Sequence, residues 1–136
     1  GWAALLMFGV IFLWTPPHFW ALAIVKYDDY EDAGVPMLPN VAGVRAATVQ
    51  MTAYAAILLA FSLLPLPLWW LGVTGDVLGW LYGVAALALG LRFLQLCWRL
   101  QRADGDLDIA REVFRFSLLY LAGIFFAMAV DRVLLG

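Results

Sequence analysis

Charge is scarce in this 136-residue chain: Asp, Glu, Lys and Arg together make up 13%, against roughly 25% in a soluble domain. That deficit excludes an ordinary water-facing surface. Cysteine is almost missing, with Cys97 alone in an apolar run, which excludes a disulfide framework and a cysteine metal centre. The polar–apolar alternation over about ten residues that marks barrel strands is missing, which removes a membrane barrel. Internal repeats and low-complexity tracts are absent as well. Residue 1 is Gly rather than Met, and no charged leader with a small-residue cleavage site precedes the first apolar run. The expectation is a chain whose N-terminal portion lies outside these residues. The net charge of -2 matters less than its distribution.

Apolar residues are abundant, at 65%. They gather in four runs, each near the 20 or so residues that a helix needs to cross a hydrocarbon core. The predicted spans are 1–25, 46–75, 77–98 and about 113–130. The first holds no charge but contains His18, the third holds only Arg92, and the fourth has Arg115 near its start and Asp131 at its end. In lipid each backbone amide must be satisfied within its own segment. The expected fold class is therefore all-α, a polytopic transmembrane helical bundle.

Punctuation refines the spans. Pro16 and Pro17 predict a kink or break in the first. The stretch after them reads as one helix, stopped at Gly34 with Pro36 beyond. Pro65 and Pro67 predict a bend in the second span. Residues 102–108 read as a solvated turn, with Asp108 as the N-cap of the last helix. Trp2, Trp14, Trp20, Trp69, Trp70, Trp80 and Trp98 read mostly as an interfacial belt.

Basic residues in short loops mark the cytoplasmic side. Arg99, Arg102, Arg111 and Arg115 gather around the connection between the third and fourth spans, whereas the turn at Asp76 has none. The loop after the first span is bracketed by Lys26 and Arg45. Alternation then predicts that the acidic loop, 26–45, and the arginine-bearing connection are cytoplasmic, with the Asp76 turn and the C-terminus outside.

Four of the ten acidic residues fall in one short stretch: Asp28, Asp29, Glu31 and Asp32. On a helix Asp28 and Asp32, or Asp29 and Asp32, share a face, where like charges repel and a counter-cation is favoured. An acidic run at a membrane surface is, on composition, first a solvated loop, and His18 is first a packed polar residue. Taken alone, these residues describe a helical membrane protein with one candidate cation site and name no reaction.

The stretch "WTPPHFWALAIVKYDDYEDAGVPMLPNVAG", residues 14–43, resembles the signature of the heme O synthase (protoheme IX farnesyltransferase) family, within the UbiA-type intramembrane prenyltransferases. Trp14, Pro17-His18, Ala21, Lys26, Asp29-Tyr30, Ala33-Gly34 and Pro36-Met37-Leu38-Pro39 carry the resemblance. Residues 110–131 are similar to that family's last helix, with a Phe-x-Phe-Ser element and a late Asp. Residues 46–100 match mainly in hydropathy.

The resemblance implies a nine-helix bundle, with residues 1–136 as the C-terminal part of one prenyltransferase domain supplying about four helices. The first Asp-rich motif is absent here, so these residues alone are expected to make no product. The implied reaction transfers the farnesyl group of farnesyl diphosphate to a vinyl group of protoheme IX (heme B), giving heme O. Magnesium is the implied cofactor. Asp29 is the implied Mg²⁺–diphosphate ligand, with Asp32 as a secondary candidate. Lys26 is assigned to a diphosphate oxygen, Tyr30 to positioning that group, and His18 to heme or water. The implied setting is the bacterial inner membrane, with the lipid bilayer around the protein, heme A synthase downstream and no nucleic acid. Two alternatives remain: a related prenyltransferase acting on an acceptor such as 4-hydroxybenzoate, and a noncatalytic assembly module or channel subunit. The second leaves the match over residues 14–43 unexplained.

Overall fold

The computed structural model describes residues 1–72 and 79–135. Seven helices are present among them: α1 (Trp2–Val25), α2 (Tyr27–Ala33), α3 (Leu38–Ala42), α4 (Val44–Leu63), α5 (Pro65–Trp70), α6 (Trp80–Arg102) and α7 (Leu107–Leu135). No strand occurs among the described residues. Four stretches are long and apolar enough to cross a membrane, namely Trp2–Val25, Val44–Leu68, Trp80–Arg102 and Leu107–Leu134. The chain is a multi-pass helical membrane protein. The predicted Asp76 turn lies outside the described residues.

The long helices form a four-cornered bundle. Helix α1 packs beside α4 and α7, and α6 packs beside the same two. Apolar side chains gain little by leaving lipid for one another, so close approach decides where such helices meet. Gly90 lets α6 approach α4: a Cβ there would lie 2.5 Å from Leu59 Cδ1. Gly123 does the same between α7 and α6, where a Cβ would lie 2.9 Å from Leu89 Cδ1. Val10, Met51, Leu58, Phe93 and Ile124 fill the centre with no exposure.

Several expectations are corrected. Of the kink or break expected at Pro16 and Pro17, the break does not occur: both lie inside a continuous α1. They deprive the carbonyls of Phe12 and Leu13 of their usual partners, yet the helix is clamped on both sides of the pair by α7. Trp14 Nε1 donates to the Ser117 carbonyl at 2.8 Å, and His18 Nδ1 meets Ser117 Oγ at 2.7 Å. Neighbouring helices make prolines tolerable in membrane helices. Trp14 is thus buried in the bundle rather than part of an interfacial belt. Trp2, Trp70, Trp80 and Trp98 are exposed, as belt residues would be.

The helix expected to run from the prolines to Gly34 is divided at Lys26, whose φ of -102° and ψ of 26° leave the helical region. Gly34 does stop α2, in the left-handed conformation at φ 70°. Its N–H bonds the Glu31 carbonyl and that of Val35 bonds the Tyr30 carbonyl, the paired closure that a left-handed glycine permits. The bend expected at Pro65 appears as a one-residue interruption at Leu64 between α4 and α5. The last helix starts at Leu107, earlier than expected, and its cap is Asp106 rather than Asp108. Asp106 Oδ2 accepts the Ile109 N–H at 3.2 Å, while Asp108, already inside the first turn, pairs with Arg111 at 3.1 Å.

Asp131 does not end the last helix. It is buried in α7 at 2% exposure. Gly79 offers no side chain to cap α6, and Asp131 replaces it by accepting the N–H groups of Gly79 and Tyr82, both at 2.8 Å. Both bonds of a capping box are supplied by another helix. Arg92 is drawn the other way, to Gln95 at 2.7 Å and to Glu112 at 3.2 Å, where Arg99 also approaches at 3.8 Å. These half-exposed pairs contribute about 0–1 kcal/mol each; they steer Arg92 toward the charged end.

Candidate functional site

The site is built where α1 ends. The turn at Lys26 redirects the chain so that α2 carries Asp28 and Asp29 in its first turn, where carboxylates complement the helix dipole. Helix α2 is held from outside by Asn40, whose Nδ2 donates to the Tyr27 carbonyl at 3.1 Å and to Glu31 Oε2 at 2.9 Å. Glu31 therefore has a structural partner, whereas Asp28, Asp29 and Asp32 are exposed.

An open pocket of about 300 Å³ lies at this corner, lined by Ile24, Val25, Lys26, Tyr27, Asp28, Asp29 and Leu107. It brings Lys26 and Asp29 together and adds Asp28, which lies outside the resemblance. Tyr30, half-buried, and Asp32 are not among its lining residues. Leu107 opens α7, so the acidic corner and the connection rich in arginine share one end of the bundle. Gly105 reinforces this, since a Cβ on it would meet Val44 and Ile24. Among the described residues no three His, Cys, Asp or Glu side chains converge as a metal cage. Exposed carboxylates still suit Mg²⁺, which binds through one or two of them and fills its shell with phosphate and water.

His18 lies on α1 eight residues before the turn at Lys26, about 12 Å deeper at 1.5 Å per residue. It is 9% exposed. Its ring is sandwiched between Trp14, at 4.3 Å between centroids, and Phe114, at 4.9 Å. Phe19 meets its edge at 5.4 Å. The Phe-x-Phe-Ser element, Phe114, Phe116 and Ser117, carries no role in the sequence alone. Its partners lie 96 residues or more away in α1, so spacing alone does not reveal the cage.

The chain matches the model of the UbiA prenyltransferase family over residues 1–130. It belongs to that family. It is 46% identical over 133 residues, 98% of its length, to the protoheme IX farnesyltransferase of Chloroflexus aurantiacus. It is 44% identical over 99% of its length to the protein of that name from Gloeobacter violaceus, and 47% identical over 91% to that of Brucella suis. The chain spans 21%, 42% and 38% of those three curated relatives. No solved structure matches it at a significant level. Within this family, the resemblance read over residues 14–43 covers the end of α1, the acidic helix and the loop to α4.

Proposed function

We propose that these residues form the C-terminal part of a single prenyltransferase domain that transfers the farnesyl group of farnesyl diphosphate to a vinyl group of protoheme IX, giving heme O. The observation that carries this is the identity of 44–47% over 91–99% of the chain with proteins bearing the name protoheme IX farnesyltransferase.

The corner at Lys26 supports the reading chemically. Farnesyl diphosphate is a polyanionic head on a long apolar chain. Lys26 and Asp29 share one pocket at the charged end, while exposed Phe8, Phe12 and Phe19 run along α1 below them. Phe12, Phe19 and Lys26 are spaced by seven, which keeps them on one stripe. The Lys26 ammonium neutralises a diphosphate oxygen, and the Tyr30 phenol orients the same group. Asp29, with Asp32 as second candidate, is the residue that would hold Mg²⁺. Magnesium bound there supplies charge neutralisation to the departing pyrophosphate. The apolar wall of α1 keeps stray water from the allylic carbon, and His18 attends the acceptor end.

The basic residues at the charged end favour a cytoplasmic position for α2, in the inner membrane of a bacterium. Heme O released there is the substrate that heme A synthase would oxidise.

The test expresses the full-length protein in a bacterium lacking its own heme O synthase and follows extracted hemes by chromatography and mass. Heme O is expected, with none from residues 1–136 alone. Prenylated 4-hydroxybenzoate without heme O would overturn the reading in favour of another acceptor.

A further inference from the structure

Ser117 sits at the crossing of two hydrogen bonds whose order is decided by proton count. Its Oγ lies 2.5 Å from the Phe114 carbonyl oxygen in the preceding turn of α7. Two oxygens approach that closely only with a proton between them, and the carbonyl has none to give. The serine hydroxyl is therefore the donor there. The 2.7 Å contact between Ser117 Oγ and His18 Nδ1 also needs a proton, and the serine has spent its own. Nδ1 must supply it. In a neutral imidazole one nitrogen is a donor and the other an acceptor, so the lone pair of His18 resides on Nε2. Among the described residues, Nε2 has no hydrogen-bond partner.

The ring cannot turn to reverse this order. Trp14 and Phe114 lie nearly parallel to it, at 16° and 20°, and cover both faces. The same serine anchors one of these covers through its carbonyl, which accepts from Trp14 Nε1 at 2.8 Å. One residue of α7 thus sets the proton on His18 and the wall beside it.

We propose that Ser117 is a positioning residue that holds His18 as the Nδ1–H tautomer, so that Nε2 serves as the proton acceptor in the hydration step of the reaction. This rests on the farnesyl-transfer reading. Once the farnesyl carbon bonds the vinyl terminus, the adjoining porphyrin side-chain carbon is cationic. Water oxygen forms a bond to that carbon, one water O–H bond breaks, and its proton passes to Nε2. No oxidant or reductant is needed. A general base of this kind contributes about 10²–10⁴-fold, and the neighbour that orients such a base is needed for much of that effect.

The test uses the full-length protein in lipid nanodiscs, labelled with ¹⁵N-histidine, the His18 signals being assigned by their loss in His18→Gln. In the parent protein Nδ1 is expected to resonate as a protonated nitrogen and Nε2 as an unprotonated one. Ser117→Ala should mix or reverse these signals and slow heme O formation by about tenfold or more, with KM for farnesyl diphosphate unchanged. Ser117→Thr keeps the hydroxyl and should retain both tautomer and rate. An unchanged tautomer in Ser117→Ala overturns the proposal, as does a reversed tautomer at full turnover. Should Ser117→Ala fail to fold, the parent spectrum decides: a protonated Nε2 there sinks the assignment. If the parent shows the expected tautomer and makes no heme O, the reaction reading fails while the Ser117–His18 relation stands.

Discussion

The carboxylate of Asp131, near the end of α7, accepts the N–H of Tyr82 in the first turn of α6 at 2.8 Å. With the Gly79 N–H on its other oxygen at 2.8 Å, it satisfies two of the donors that every helix start leaves over. Asp131→Ala should strand the buried Tyr82 N–H and the part-buried Gly79 N–H, at about 1–3 kcal/mol for the unpaired buried group. Asp131→Asn keeps one acceptor and should lose about half as much. Thermal unfolding of the full-length protein in detergent measures this, and equal melting of all three would remove the capping role.

Asp29 is exposed on α2, so Asp29→Asn should alter stability by no more than about 0.5 kcal/mol. Turnover should fall at least about a hundredfold, since neutralising a leaving group's charge is a large catalytic term. Asp28→Asn, in the same pocket but outside the resemblance, should lose much less. Heme O formation at matched expression and saturating Mg²⁺ decides. Near-normal turnover of Asp29→Asn would make the cluster a solvated corner only.

The sidedness expected from the arginines has its own check. Val41, on α3, and Leu71, just after α5, are both exposed at opposite ends of the α4–α5 span, and Cys97 is buried. In intact cells a cysteine at Val41 should resist a membrane-impermeant thiol reagent, whereas one at Leu71 should react. The reverse pattern would turn the protein over in the membrane.

Asn40 ties the proline-rich loop to α2 through the Tyr27 carbonyl and Glu31. Asn40→Ala removes both bonds, a loss of about 1–2 kcal/mol confined to this corner. Amide hydrogen exchange should quicken over residues 27–33 and stay unchanged in α6 and α7. Unaltered exchange at α2 would show that other contacts hold it.

Much of this was legible in the amino-acid order. Apolar runs mark the four spans because the bilayer sets their length, and Gly34 marks the end of α2 because few other residues adopt φ 70° without strain. Of the kink or break read from the prolines, the break does not occur: a local rule saw two missing donors and could not see Ser117 holding the flanking Trp14 and His18 from another helix. Asp131 misled for the same reason. A carboxylate at the end of an apolar run reads as a boundary, and only packing brings two unpaired amides of α6 against it. At the candidate site, the Lys26 and Asp29 pairing follows from local chain geometry, whereas the aromatic cage of His18 depends on α7, 96 positions or more beyond it.

The single non-helical residue at Lys26 has a consequence for how such a protein can vary. The α1 residues before it, His18 included, inherit their depth and angle from the bundle; α2 just after it takes its attitude from Gly34, Asn40 and the loop to α4. Substitutions in residues 34–43 can therefore re-aim the α2 carboxylates with little effect on the rings around His18, whereas repacking of α7 reaches both, since Leu107 lines the pocket beside Lys26 and Asp29. Under the proposed reading, divergence in how a donor's charged head is held has a route through residues 34–43 that leaves the wall around His18 intact.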